Sequence, residues 1–351
     1  MGSSPLLLIL LLTITLSTTS TVQAFTCSST NSTCSSLIDY PSPNATTLGK
    51  IQSLFGIKNL RTILGANSLP LSTPSSYSIN QNETIKILFT CLCTNGSGVS
   101  NHVPIYTVQS GDQLDQIATD VFSRLVTYQQ IAEYNNISNP DLIQIGQELW
   151  IPLPCSCDPV NGSRVVHYGH VVESGSSVEE IAEEYGTTET ILLNLNNMSD
   201  PSSLQAGQVL DVPLKTCDSK VSNDSLDYPL LVANGAYVFT ANSCVKCRCD
   251  AANDWTLQCE PSQLNLSHTC PSMQCQASEL YIGNTTTSSC NQTICAYAGY
   301  NNQTILTTLY SESLSTATCP KSNAPKMGAQ GSKWSSILIG LHSMLLCLYL
   351  V

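Results

Sequence analysis

The chain has 351 residues with 13 Lys or Arg against 25 Asp or Glu, a formal net charge of −12. So few basic groups exclude a nucleic-acid footprint, which needs a clustered positive surface. The length allows two or more domains, and 17 cysteines point to an oxidising compartment.

In chain order, the first signal is Pro5 to Leu16, almost unbroken apolar sequence, followed by small polar residues and Val22-Gln23-Ala24. It reads as a secretory signal over residues 1–24, cut after Ala24.

The middle of the chain repeats itself. Tyr106-Thr-Val-Gln-Ser-Gly111-Asp-Gln-Leu-Asp-Gln-Ile117-Ala118 stands beside His170-Val-Val-Glu-Ser-Gly175-Ser-Ser-Val-Glu-Glu-Ile181-Ala182. Further on, Asn135-Asn-Ile-Ser-Asn-Pro140 matches Asn196-Asn-Met-Ser-Asp-Pro201, and Ile145-Gly-Gln147 to Pro152-Leu153 matches Ala206-Gly-Gln208 to Pro213-Leu214. A small insertion in the first copy falls near Val121 to Arg124. A matched pair of this length is the mark of a repeated fold unit.

Each copy reads as strand, helix, helix, strand. Ile105 to Val108 and His170 to Val172 are β-rich runs ending at a Ser-Gly turn. Leu114, Ile117, Ala118 and then Ile131, Ala132 have helical spacing, as do Val178, Ile181, Ala182 and Tyr185. Asp112 and Ser176 suit helix N-caps. Asn-Asn-x-Ser-x-Pro closes the second helix through its proline. Leu149 to Pro152 and Val209 to Pro213 form the last strand, with proline as its stop.

After Cys217 the composition shifts. Ten cysteines fall between Cys217 and Cys319, with no helical period, which predicts a disulfide-rich β/loop domain over 217–319. Cys244-x-x-Cys247-x-Cys249 is a weak zinc candidate. No histidine stands at ligand spacing, and the compartment favours disulfides. A polar spacer from Pro320 and an apolar run, Trp334 to Val351, complete the chain. A spanning helix needs about 20 apolar residues and a basic flank. The segment 320–351 reads instead as a GPI-addition signal, with Ser322 as attachment residue and Asn323 nearly as suitable. Cys347 lies in that tail, which leaves an even number of cysteines for pairing.

Twelve Asn-x-Ser/Thr sequons, at Asn31, Asn44, Asn82, Asn95, Asn136, Asn161, Asn197, Asn223, Asn265, Asn284, Asn291 and Asn302, predict a heavily glycosylated surface. Enzyme chemistry finds little support. Glycoside hydrolysis needs two placed carboxylates, and beyond the repeats Asp227, Asp250, Asp254, Glu260, Glu279 and Glu312 are scattered. The five histidines are dispersed as well, at His102, His167, His170, His268 and His342. No nucleophile motif occurs.

The repeated Tyr-x-Val-x-x-Gly entry and the Asn-Asn-x-Ser-x-Pro to Pro152-Leu153 close strongly resemble the LysM domain, a βααβ module that binds N-acetylglucosamine polymers. A degenerate third copy fits Thr47 to Cys91 but lacks the entry motif. The expected class is α+β: three small βααβ LysM modules stapled by disulfides (25–93, 104–153 and 167–214), then the cysteine-rich domain. Cys91-x-Cys93 and Cys155-x-Cys157 between modules resemble plant LysM domain-containing GPI-anchored proteins of the chitin elicitor-binding protein type. The resemblance implies pairings Cys27–Cys93, Cys34–Cys157 and Cys91–Cys155, where sequence alone permits 15 connectivities for six cysteines. It also implies chitin oligosaccharides as ligand, a LysM receptor kinase as transmembrane partner, a lipid-anchored place on the outer plasma-membrane face, and neither cofactor nor metal. A long oligomer would bridge two copies into a homodimer.

In LysM domains two loops hold the sugar. Here they are Gln109, Ser110, Gly111, Asp112, Gln113 and Leu114, and the stretch Asn136, Ile137, Ser138, Asn139, Pro140, Asp141, Leu142, Ile143, Gln144 and Ile145. Chitin is neutral, so the site should combine apolar surface for sugar CH faces with amide donors and acceptors. Ile143 and Leu142 are the best apolar candidates. Leu114 and Ile145 are counted with the sugar-binding residues, with core positions as their alternative reading. The sequon at Asn136 places a glycan within the groove. Peptidoglycan is the alternative ligand, and a non-signalling wall-adhesion role the alternative function.

Overall fold

The computed structural model describes residues 25–288 and 290–313. The expected signal peptide, Cys319, Ser322 and the GPI-addition segment lie outside the described residues. No helix among those described is long and apolar enough to cross a membrane. The chain divides into two compact units, residues 1–286 with 293–310, and residues 287–292 with 311–351. In the second, Ser313 Oγ donates to Asn291 Oδ1 at 3.4 Å. The repeated elements and their cores all lie in the first.

Strand, helix, helix, strand recurs three times. In the first occurrence Thr46–Thr47 pairs with Ser78–Ile79 around α1 (Leu48–Leu54) and α2 (Leu60–Ala66). In the second, Ile105–Thr107 pairs with Glu148–Trp150 around α3 (Leu114–Gln116) and α4 (Tyr128–Tyr134). In the third, Val165–Val171 pairs with Val209–Lys215 around α5 (Val178–Glu184) and α6 (Glu189–Leu195). Helices of two turns are not stable alone, so capping and core contact hold them. Thr127 with Gln130 and Ser177 with Glu180 form capping boxes on α4 and α5.

Several local expectations need correction. The N-caps of α3 and α5 are Gln113 and Ser177, one residue beyond Asp112 and Ser176. Pro213 does not stop the last strand. It pairs with His167 inside Val209–Lys215, and that strand lies at the sheet edge, where a missing N–H is tolerated. Pro140 does not end α4 either, because Asn135 already caps it. The insertion is accommodated by a π-helical turn over Ile117–Val121 and by left-handed backbone at Ser123 and Arg124.

One device recurs in all three occurrences. Asn135 Nδ2 donates to the carbonyls of Ile131 (2.8 Å) and Trp150 (2.7 Å), while its Oδ1 accepts from Trp150 N (2.9 Å). Asn67 makes the same three bonds to Ile63 and Lys86, and Asn196 to Leu192 and Asp211. A single amide thus satisfies a helix C-terminus and clamps it to a strand, as the orphan carbonyls of a helix end require.

A larger sheet joins the parts, in the order Phe25–Thr26, Ser97–Ser100, Thr84–Thr94, Ser32–Pro41, Val165–Val171, Val209–Lys215. Ser32–Pro41 runs parallel to Val165–Val171, so the segment nearest the N-terminus carries the third occurrence. Gly169 lets the strands approach closely, since a Cβ would meet the Ile38 side chain at 3.0 Å. The first and second occurrences share one core, linked by edge-on rings at Tyr40–Phe55 (4.9 Å), Phe55–Phe122 (5.9 Å) and Tyr106–Phe122 (6.0 Å). The third packs its own cluster around Tyr168, Ile181, Leu192 and Val212.

Cysteines gather where these cores meet. Cys27 joins Cys93, Cys34 joins Cys157 and Cys91 joins Cys155, with Cα separations of 5.5, 5.7 and 5.9 Å. Such small cores gain from cross-links. Nearby, the buried carboxylate of Asp39 receives the Tyr168 hydroxyl and faces His170 Nδ1 at 2.9 Å. His167 is buried between Asp211 (2.9 Å) and the Asp158 carbonyl (2.8 Å). Burial works against the His167 charge, but the Asp211 carboxylate and the Asp158 carbonyl raise its pKa above the ordinary value. Both histidines are therefore structural, each a buried polar ring held by a hydrogen-bonding partner.

Beyond Cys217 the described residues hold strands and a single 3-10 turn, Ala251–Asn253. Cys217–Cys249, Cys244–Cys270, Cys247–Cys259 and Cys275–Cys295 are disulfides, and Cys290 is also bonded. The cysteines of the zinc candidate are thus spent on sulfur. This part packs on α2, where the carbonyl of Tyr237 occupies the space a Cβ on Gly65 would need and the Tyr237 hydroxyl donates to Leu69 O at 2.7 Å.

Candidate functional site

The loop after α4 is built from short hydrogen-bonded turns. Asn136 has φ +55° and Gly146 φ +83°. The turn is closed by Leu142 N to Asn139 O (3.1 Å), Gln147 N to Gln144 O (2.9 Å) and Gln144 N to Gln147 Oε1 (3.0 Å). Gly146 N and Val108 O (2.9 Å), with Val108 N and Gln147 O (2.9 Å), tie it to the first strand. So many local bonds fix the loop before any ligand arrives, which lowers the ordering cost of binding.

This loop bounds an open concavity of about 640 Å³. Of the candidate residues, Asn136, Ile137, Ser138, Asn139, Leu142 and Ile145 line it, with Gln144. Asn135, Gly146 and Gln147 also line it and were missed, although the Gly-Gln pair shared by both copies was a legible signal. No charged side chain lines it. Leu142 is 71% and Ile145 72% exposed, so the Ile145 core reading is corrected. Exposed large apolar residues beside amides suit a neutral amphipathic ligand.

Other candidates fall elsewhere. Ile143 is half-buried against the core and Pro140 is half-buried; neither lines the concavity. The turn Gln109 to Leu114 does not line it either. Leu114, only 1% exposed, belongs to the core, a correction that follows from its place at the first helical position, in the same buried cluster as Ile117 and Ile131. Asp112 is occupied, accepting from Gln109 N (2.7 Å) and the Tyr106 hydroxyl (2.9 Å). Burial, and then Asp112, push the Tyr106 pKa up to about 12. Gln109, Ser110, Gly111 and Gln113 remain exposed on the neighbouring surface.

The third occurrence shows the contrast. In the matched positions Ser203 replaces Leu142 and Ala206 replaces Ile145, so its loop lacks both exposed apolar side chains. All twelve sequon asparagines are exposed, and Asn136 lies on the concavity itself.

A repeated small module with a neutral, preformed concavity and a cysteine-clamped frame defines a binding protein of repeat architecture. The family model described as LysM domain matches residues 106–152 and 170–213. "LysM domain-containing GPI-anchored protein 2" of Arabidopsis thaliana is 48% identical over 334 residues, 93% of this chain and 92% of that protein. "Chitin elicitor-binding protein" of Oryza sativa subsp. japonica is 42% identical over 326 residues, 92% of this chain and 90% of that protein. Among solved structures, the ectodomain of a receptor like kinase is similar at 21% identity with a TM-score of 0.44, covering 53% of this chain and 94% of that one. The chain belongs to the family of plant LysM domain-containing GPI-anchored proteins.

Proposed function

We propose that this protein is a receptor of plant defence on the outer face of the plasma membrane, that it binds chitin oligomers without cleaving them, and that the concavity after α4 is the site. The observation that carries this is the pair Leu142 and Ile145, exposed in a wall otherwise made of neutral amides, one hydroxyl, a glycine and the half-buried Ile137. Sugar CH faces and acetyl methyls rest on the two aliphatic side chains, while Asn136, Asn139, Gln144 and Gln147 serve the acetamides. A ligand without charge needs no countercharge, and none is offered. The name of the rice relative, a chitin elicitor-binding protein, supports the same reading.

The finer organisation belongs to this proposal. Three LysM modules at 25–93, 104–153 and 167–214 precede a cysteine-rich domain at 217–319, and the three asparagine clamps support counting the first stretch as a module. The second module is the main binder. A lipid anchor reaches only the outer leaflet, so the signal passes through a transmembrane LysM receptor kinase. A long oligomer bridges two copies by engaging one concavity on each, which raises avidity.

The test titrates the secreted, glycosylated protein with chitin oligomers of increasing length and, in parallel, with peptidoglycan fragments. Affinity that rises with chitin length supports the proposal. Preference for peptidoglycan moves the ligand to that polymer, binding of neither overturns the receptor reading, and released sugar makes the protein an enzyme.

A further inference from the structure

A second cleft, of about 550 Å³, lies between the third occurrence of the repeat and the segment after Cys217, with lining residues near Arg164, Thr187, Lys215 and Pro229. Two cations line it, Arg164 and Lys215, against one carboxylate, Asp218. In a chain of net charge −12 this is a local reversal of sign. Lys215 pairs with Val165 across the ladder, so the two cations come from adjoining strand ends.

Both are positioned by rings. The Arg164 guanidinium lies 4.7 Å from the Tyr228 ring centre, and the Lys215 ammonium 4.1 Å from that of Trp255. Neither pairs with a carboxylate among the described residues. A ring holds a cation in place without neutralising it and leaves its edge N–H donors available. The cleft therefore presents two oriented cations engaged in no ion pair, with Asp218 the one carboxylate beside them. Asn161, Thr187, Thr188 and Ser219 add neutral polar groups, while Ile191 and Pro229 form apolar wall.

We infer that this cleft binds an acidic oligosaccharide, a short run of sugar rings bearing carboxylates. Arg164 takes one carboxylate through its planar fork and Lys215 a neighbouring one, while the neutral groups meet ring hydroxyls. The volume falls within the range of small-ligand sites. An extended acidic peptide suits the cleft less, because added-strand binding needs a row of backbone donors and Pro213, inside the adjoining strand, has no N–H to offer. This site is separate from the concavity after α4 and does not depend on its ligand.

The experiment is calorimetric titration of the secreted protein with tetragalacturonic acid at mildly acidic pH and low salt. An Asn161→Gln form is run alongside, so that a glycan on the lip cannot mask the result. Binding is expected, weakening with added salt and falling about ten-fold or more in Arg164→Ala and in Lys215→Ala. The fully methyl-esterified tetramer should not bind the unaltered protein, a readout that needs no variant to fold. A Leu142→Ala, Ile145→Ala protein should retain tetragalacturonate. No binding in either form, equal binding of the ester, or indifference to both cation substitutions overturns the inference. Tighter binding of an acidic hexapeptide than of the sugar overturns the assignment to carbohydrate.

Discussion

Removing the two exposed apolar side chains of the concavity, by Leu142→Ala with Ile145→Ala, isolates the surface on which sugar binding is proposed to rest. Full burial of a Leu or Ile side chain is worth about 1.5–3 kcal/mol. The two residues expose 71% and 72% of their area, and a sugar ring resting on one side covers roughly half of that. Each contact then contributes about 0.5–1 kcal/mol, and the pair about 1–2 kcal/mol, or roughly 5- to 30-fold in Kd. Neither side chain supports the core, so the thermal midpoint should not move. The assay is calorimetric titration with a chitin hexamer, with circular-dichroism melting as the control. Binding within two-fold of the unaltered protein at an unchanged melting temperature would refute the assignment of the site.

Two further outcomes concern stability. Asn135→Ala leaves the buried-side N–H and C=O of Trp150 without their partner, a loss of about 1–3 kcal/mol for each unsatisfied group; urea titration should show a lowered midpoint, and chitin affinity should fall with it because Asn135 also lines the concavity. The His167 pKa is raised in the folded chain, so its contribution is complete below the unfolded value of about 6.5 and is lost as pH rises through the folded value. Denaturant midpoints measured from mildly acidic to alkaline pH should therefore decline, and His167→Gln should flatten that decline. Asp158 acts in the opposite sense. Partial burial raises its pKa, but hydrogen bonds from the backbone and side chains of Ser28 and Ser29 outweigh this and lower it, so its contribution is lost as pH falls through that lowered value.

The repeat was legible because it is written in local chemistry. Gly111 and Gly175 mark turns at positive φ, apolar residues at helical spacing mark the buried faces, and the paired Asn135 and Asn196 mark helix ends; each signal acts within a few residues. Boundaries slipped where two local groups competed. Asp112 and Ser176 have capping chemistry, yet the caps are Gln113 and Ser177, because the register of Leu114 and Val178 against the core sets where each helix starts.

What the sequence determined by itself was the module, its number of clear copies and the sequons. Tertiary structure alone decided which of Leu142, Ile143 and Ile145 faces outward, since successive residues of an irregular loop follow no period. It also decided that Leu114 belongs to the core, that two repeats share one interior, and that Arg164 and Lys215 meet rings from distant segments. Those facts depend on contacts between residues far apart in the chain, and a linear pattern carries no information about which surfaces will close on one another.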